Sequence, residues 1–411
     1  MQSTTPTPAA PFPWKRNLAV LWVAQVVTTL GFSFTFPFFP IYFRELGVAE
    51  VERAAFWAGA SGWMLGLGMG LCSPLWGALS DRYGRKLNVV RAMALAGLFL
   101  LLSAFAQNPT QLLISRFFVG ATSGVLPTIM ALVAVHTPRE RLPFATGAIQ
   151  SALFLGTAIG PVLGGIIFDH YGLRAPFYAT AAGLFSAAVL VLAFTREKFT
   201  RPVGGPRHPL APFKGLWGMI TAPTFLPLIV MIFMVQAGVN VMLPVLPGVV
   251  ETIPGGSLDA SAAGIAFMAL GIGSSLSAVS MGMLAGRVGL RRVFLAGAVL
   301  AAIASLGPFF AGTYWHLVGS VGLVALFYGG LAGLLNGVIA MRTPRAQHGA
   351  AFGASQTGLS AGVAVGPLVS GAVADATGLR NAFLLNVALF ALITAIASRA
   401  VGRRTGEDAT D

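Results

Sequence analysis

The sequence predicts an all-α integral membrane protein with twelve transmembrane helices in two parallel six-helix halves. Three observations predict it. First, 56% of the 411 residues are hydrophobic and 9% are charged, whereas soluble domains carry about 25% charged residues. Second, the apolar residues form twelve continuous stretches, at 17–43, 53–80, 87–106, 110–136, 142–169, 174–195, 223–250, 261–285, 292–312, 314–341, 348–376 and 380–400. Most are near the length of about 20 residues that a helix needs to cross the hydrocarbon core. Third, GPVLGGIIFDHYGLR from Gly160 to Arg174 returns as GPLVSGAVADATGLR from Gly366 to Arg380, displaced by 206 positions. The runs do not alternate with period two, which argues against a strand barrel.

Residues 1–16 begin MQSTTPTPAAPFP, a Pro-, Ser- and Thr-rich lead expected to be disordered and cytoplasmic. Lys15 and Arg16 then open the first span, which is too long for a signal peptide and has no convincing cleavage site. The first half is expected over 17–195. A hydrophilic interruption rich in Pro, Gly and basic residues marks 196–222 as a cytoplasmic linker, with a short amphipathic piece near Phe213 to Trp217. The second half follows over 223–400, and 401–411 form a cytoplasmic tail.

Basic residues set the orientation. With the N-terminus inside, Lys15, Arg16, Arg82, Arg85, Lys86, Arg139, Arg141, Arg287, Arg291, Arg292 and the basic residues of linker and tail all fall on the cytoplasmic side. Arg44, Arg53, Arg174 and Arg380 remain outside. This is the positive-inside pattern, and it places both termini in the cytoplasm. It also accounts for the net charge of +13 without nucleic acid, because the cations are spread over short loops. The single Cys72 excludes an internal disulfide and reads as a small buried apolar residue, and the five histidines have no metal-ligand spacing. No metal and no cofactor is implied. No Walker loop and no convergent His, Asp, Ser or Cys set suggests an enzyme.

The repeat extends beyond the quoted segment, from Gly147, Gln150 and Gly156 to Gly353, Gln356 and Gly362, and on to the Asp169/Asp375 and Phe177/Phe383 pairs. Six spans separate the copies, an even number, so both copies point the same way. Parallel halves related by an axis along the membrane normal are an architecture of secondary transporters, with a shared site between them. GALSDRYGRK, from Gly77 to Lys86, recurs in part as GMLAGRVGLRR from Gly282 to Arg292. Its glycines allow a tight turn, Asp81 offers an acceptor to Arg side chains or a helix N-terminus, and the basic cluster stays at the headgroups.

Gly77, Asp81, Arg82, Gly84, Arg85 and Lys86 make this loop resemble the signature Gly-x-x-x-Asp-Arg-x-Gly-Arg-Lys of the major facilitator superfamily, although the second copy has Gly286 where Asp would stand. ISRFFVGATSGVLP, from Ile114 to Pro127, is similar to the family's fourth-helix motif. GTAIGPVLGG, from Gly156 to Gly165, is similar to its fifth-helix antiporter motif, Gly-x-x-x-Gly-Pro-x-x-Gly-Gly. The likeness covers nearly the whole chain and points to the twelve-span drug:proton antiporter branch. It implies a functional monomer of the bacterial inner membrane, with proton-coupled efflux of hydrophobic or amphipathic small molecules by alternating access. It also associates Arg116 with coupling and the motif of Gly156, Gly160, Pro161, Gly164 and Gly165 with a helix pair that bends and seals. A lipid or glycolipid flippase and a sugar or metabolite transporter are the rival readings within the same fold.

Physical reading of the same residues agrees in part. An arginine inside the bilayer costs at least several kcal/mol unless it faces water or an acceptor; the alternative for Arg116 is snorkelling from the outer end of its span. Gly156, Gly160 and Gly164 lie on one helical face as a small-xxx-small seam, beside which Pro161 removes a backbone donor. On this reading a leucine at Gly160 is disruptive and a methyl at Gly165 fits. No acid lies mid-membrane, so Asp169 and Asp375, if buried near helix ends, join Arg116 as expected coupling residues. Stranded polar residues are the candidate cavity lining: Gln25 and Ser33 in span one, Gln150 in span five, Gln236 and Asn240 in span seven, Asn336 in span ten and Gln356 in span eleven. Phe34 and Phe154 add adaptable apolar wall.

Overall fold

The computed structural model describes residues 13–138, 141–197, 199, 222, 225–256, 259–342 and 348–400. Most of the expected lead, most of the linker and the tail therefore lie outside the described residues. The first half contains α1 (Trp14–Thr35), α2 (Phe39–Glu45), α3 (Val51–Tyr83), α4 (Arg85–Ser103), α5 (Pro109–Ala121), α6 (Val125–His136), α7 (Leu142–Tyr171) and α8 (Ala175–Phe194). The second contains α9 (Leu226–Thr252), α10 (Ala260–Val288), α11 (Leu290–Ala304), α12 (Leu306–Phe309), α13 (Tyr314–Tyr328), α14 (Leu331–Arg342), α15 (His348–Thr377) and α16 (Ala382–Ala400).

Among the described residues, eleven helical stretches are long and apolar enough to cross a membrane, and the 33-residue α3 runs between the first two of them. Twelve traverses result, an even number, so Trp14 and the end of α16 share one face, here the terminal face; the opposite one is the far face. Traverses one, four, nine and ten are each built from two successive helices. A 3-10 turn at Phe36–Phe38, with Pro37 inside it and Pro40 just beyond, interrupts the first. Gly124, at φ +118°, starts α6 in a conformation that L side chains rarely adopt. By contrast α7 runs unbroken through Pro161 and α15 through Pro367.

Each half packs its own apolar core. Leu21, Met93 and Phe177 are buried in the first, and Phe294, Phe383 and Phe390 in the second. In lipid the hydrophobic effect does not drive helices together, so close backbone approach must supply the dispersion energy. Glycine supplies that approach. Gly156, Gly160 and Gly164 of α7 lie against Thr29, Ser33 and Phe34 of α1. In the second half Gly362 and Gly366 of α15 lie against Gln236 and Ala237 of α9. The predicted seam is therefore a packing seam inside each half.

Candidate functional site

The two halves meet along two helix pairs. A Cβ on Gly59 of α3 would strike the Pro367 carbonyl of α15, and Gly62 and Gly66 lie against Pro367 and Ala364. A Cβ on Gly264 of α10 would come within 2.5 Å of the Pro161 carbonyl of α7, and Gly271 lies against Thr157 and Ala158. Gly165 meets Ser261, as Gly371 meets Ala55, a two-fold correspondence at the displacement of 206. The expected room for a methyl at Gly165 is absent: its Cβ would lie 2.6 Å from Ser261 Cα, because this glycine faces the other half and not the intra-half seam.

All these contacts lie in the far-face portions of the four helices. Toward the terminal face Gly70, Gly147, Gly282 and Gly286 have no neighbour within 4 Å of a Cβ position. Polar clasps reinforce the far-face closure. Arg44 at the end of α2 donates to both carboxylate oxygens of Glu251 in α9, at 2.8 and 2.7 Å. Asp169, near the end of α7, accepts the backbone N–H groups of Ala260 and Ser261 at 2.9 and 3.1 Å. Those are among the first donors of α10, which have no partner within their own helix. Beside them Phe38, Ala260 and Ala263 form a small core with Phe168, across the halves.

Arg116 of α5 is fully buried, so it does not snorkel. Its guanidinium carbon lies 4.4 Å from the centre of the Phe39 ring and 5.5 Å from that of Phe36, a cation–π arrangement on two faces of the proline-broken first traverse. None of its three side-chain nitrogens has a hydrogen-bond partner among the described residues. A buried unpaired cation is expensive, which makes this the group most in need of an acceptor. Asp169 and Asp375 do not supply one. Both are exposed, so the burial expected of them is not found; Asp169 is occupied by α10, and Asp375 has no hydrogen bond among the described residues. Counted from the starts of the two helices, Pro109 of α5 and Tyr314 of α13, the position repeating Arg116 is Val321, so the second half carries no arginine there.

The candidate cavity residues are placed unevenly. Gln25 is buried and donates to Thr29 Oγ1 at 2.9 Å, leaving its own Oε1 without a partner; Gln150 Oε1 is likewise unpartnered. Gln150, Phe154 and Pro161 follow one face of α7 at steps of four and seven. Ser33 and Phe34 are half-buried but serve as walls for Gly160 and Gly164. In the second half Asn240 donates to the Gln236 carbonyl at 2.7 Å, and Asn336 accepts from Ser355 at 2.5 Å; Gln236 and Gln356 are half-buried. Asn240 and Asn336 are thus engaged in helix packing, whereas Gln25, Gln150 and Arg116 retain unsatisfied capacity, as does Asn386 of α16, fully buried with both amide atoms unpartnered among the described residues.

In the signature loop, Gly84 at φ +99° both ends α3 and begins α4, and Gly289 at φ +97° does the same between α10 and α11. Gly77 and Asp81 sit on α3, with side chains outside the described part. Arg82 is exposed above the Tyr83 ring. The backbone N–H groups of Arg85 and Lys86 donate to Glu197 at 2.9 Å each, a carboxylate just after α8 that sequence reasoning missed. Asn17 of α1 brackets the neighbouring Arg196 backbone through two further hydrogen bonds. Glu197 carries no motif; the one available signal was an acid directly after a span in a chain poor in acids. Among the described residues no group of three metal-ligating side chains occurs.

A family model described as Major Facilitator Superfamily matches residues 21–256 and 252–411. The multidrug resistance protein MdtG of Enterobacter lignolyticus is 31% identical over 405 residues, covering 97% of this chain and 95% of that protein. The protein of the same name from Salmonella arizonae is 30% identical over 375 residues, 91% and 92% of the two chains. Among solved structures, a POT family transporter in complex with 5-aminolevulinic acid superposes with a TM-score of 0.76 at 15% identity, covering 93% of this chain and 95% of that one. The human organic anion transporter MFSD10 gives 0.68 at 19% identity, covering 94% and 99%. Those two likenesses speak for the fold.

Proposed function

The chain belongs to the Major Facilitator Superfamily and is a membrane transporter, not an enzyme, and from that premise we propose that it exports hydrophobic or amphipathic small molecules across the bacterial inner membrane by proton-coupled alternating access. The observation that carries the reading is the one-sided closure: glycine contacts and two polar clasps join the halves at the far face, while toward the terminal face the same helices part. Rocking about the Gly66–Ala364 and Gly271–Ala158 level exchanges which side is open. The basic residues on the terminal face support an orientation with that face, and both chain ends, toward the cytoplasm. Multidrug relatives at about 30% identity over nearly the whole chain support a broad apolar substrate range.

Coupling on this reading runs through Arg116. A buried guanidinium without an acceptor favours an anionic or hydrogen-bond-accepting neighbour in one state of the cycle and its release in the other, and Gln25 and Gln150 are further unsatisfied acceptors on helices of the same half. Flux of a panel of lipophilic compounds in reconstituted vesicles, with and without an imposed pH gradient, tests it. Arg116→Gln is expected to abolish gradient-driven accumulation and keep downhill movement. Unchanged gradient dependence in that variant removes Arg116 from the proton route, and absence of flux for every compound in the wild type removes the export reading.

A further inference from the structure

A groove of about 580 Å³ lies between the terminal-face ends of α1 and α7, within the range of about 300–1,000 Å³ usual for small-molecule sites. Lys15 and Arg141 stand at its mouth, and Trp22, Phe144 and Ala148 line it deeper down. Its direction follows from the α7 helix. Phe144, Leu155, Ile159, Leu163 and Ile166, all exposed, fall with Ala148 on one side of the helix at steps of three, four and seven. Gln150, Phe154 and Pro161 occupy a different arc. The groove therefore heads the bilayer-facing stripe of α7, away from the path between the halves.

Its chemistry is two-part. Trp22 is held in place by donation from its indole N–H to Ser151 at 3.1 Å, which makes a fixed apolar wall opposite Ala148. Small residues, Ala19 and Ala148, open the hollow from both helices. At the mouth, Lys15 lies over the Trp14 ring at 5.9 Å, at the level where tryptophan and basic residues meet lipid headgroups. Neither Lys15 nor Arg141 has a carboxylate partner among the described residues; the ion pair there is Arg44–Glu251, on the far face. Two cations over an apolar shaft complement an amphiphile with an anionic head, and basic pockets between transmembrane helices recognise anionic lipid headgroups. We propose that this groove is a binding site for an anionic phospholipid of the leaflet at the terminal face, with its phosphate between Lys15 and Arg141 and an acyl chain along Trp22 and Ala148.

The full-length protein, purified and delipidated, is titrated with phosphatidylglycerol and with phosphatidylcholine of the same chains, and the first bound lipid is followed by native mass spectrometry. The wild type is expected to prefer phosphatidylglycerol by about thirtyfold, the scale of two basic side chains near an anionic group, and to lose that preference in molar salt. K15Q/R141Q is expected to bind both lipids alike, and Ala148→Trp, which fills the shaft from a lipid-facing position, to weaken phosphatidylglycerol binding with both cations intact. Equal binding of the two lipids by the wild type overturns the proposal whatever the variants do. So does a K15Q/R141Q protein that keeps the preference, or one whose transport KM rises while lipid binding stays unchanged, which assigns the groove to substrate.

Discussion

The α7–α10 and α3–α15 junctions are built alike and finished differently. In both, a glycine of one half lies on a proline carbonyl of the other, Gly264 on Pro161 and Gly59 on Pro367, and a second glycine meets the start of the opposing helix, Gly165 at Ser261 and Gly371 at Ala55. One turn further toward the far face, each junction carries an aspartate. Asp169 holds the first N–H groups of α10; Asp375 is exposed and holds nothing comparable. The receiving helices explain this. Both helices are preceded by an acid, Asp259 before α10 and Glu50 before α3, but α3 carries a further one, Glu52, in its first turn and α10 carries none. With two carboxylates at the positive end of its dipole, α3 repels a third more strongly than α10 does. Steric fit has been kept across the duplication, while the polar clasp exists at one junction only.

Breaking the shared part gives the largest effect. Gly264→Leu and Gly59→Leu each push a branched side chain into a backbone carbonyl, where nothing can yield without parting the halves. Each is expected to destabilise the purified protein on the order of 1–3 kcal/mol, the scale of overpacking, with loss of transport. The two should lie close together in thermal unfolding. A large loss at one and none at the other ends the claim that the junctions are sterically equivalent.

The unshared part separates them. Asp169→Ala removes the acceptor of two helix-terminal N–H groups and is expected to cost about 1 kcal/mol, the usual worth of a helix cap. Asp375→Ala is expected to leave the melting temperature unchanged. Equal shifts would mean that Asp375 has a partner in the membrane after all. A smaller effect again is expected from Glu251→Gln, since Arg44 and Glu251 are 35% and 21% exposed and ion pairs of that kind contribute roughly 0–1 kcal/mol. Its effect should shrink as salt is raised, while the Asp169 effect, resting on aligned hydrogen bonds, should shrink less.

Much of this frame was legible in the residues. Apolar run lengths gave the twelve traverses, and the repeated Gly, Pro and Asp letters marked the elements that later meet. What stayed hidden was who meets whom. Gly165 and Gly160 are five residues apart in one motif, yet one faces the other half and the other faces α1, a distinction set by helix rotation. Glu197 reaches the start of α4 across more than a hundred residues, and Arg44 finds Glu251 across about two hundred; neither pair has a spacing that a motif can record. The burial of Arg116 depends on Phe36 and Phe39 turning inward at a 3-10 break, which Pro37 and Pro40 hinted at without fixing its direction.

The smallest predicted effect is also the one that tests why the junctions differ. If Glu50 and Glu52 keep Asp375 from the start of α3, then replacing both by serine should let Asp375 accept from the freed N–H groups, as Asp169 does from α10. The raw stability change is a poor readout, because removing Glu52 from the first turn forfeits a favourable dipole interaction of about 0.3–1 kcal/mol. A double-mutant cycle isolates the new contact. E50S/E52S is compared in the presence of Asp375 and in the D375A background, by thermal unfolding in detergent at low salt. A coupling of a few tenths of a kcal/mol, favourable and present only with Asp375, is the expected result on the scale of exposed charge-assisted contacts. Coupling indistinguishable from zero means that the distance from α15 to α3, and not the charge at the α3 start, leaves Asp375 unclasped, and the explanation of the asymmetry then moves from electrostatics to backbone placement.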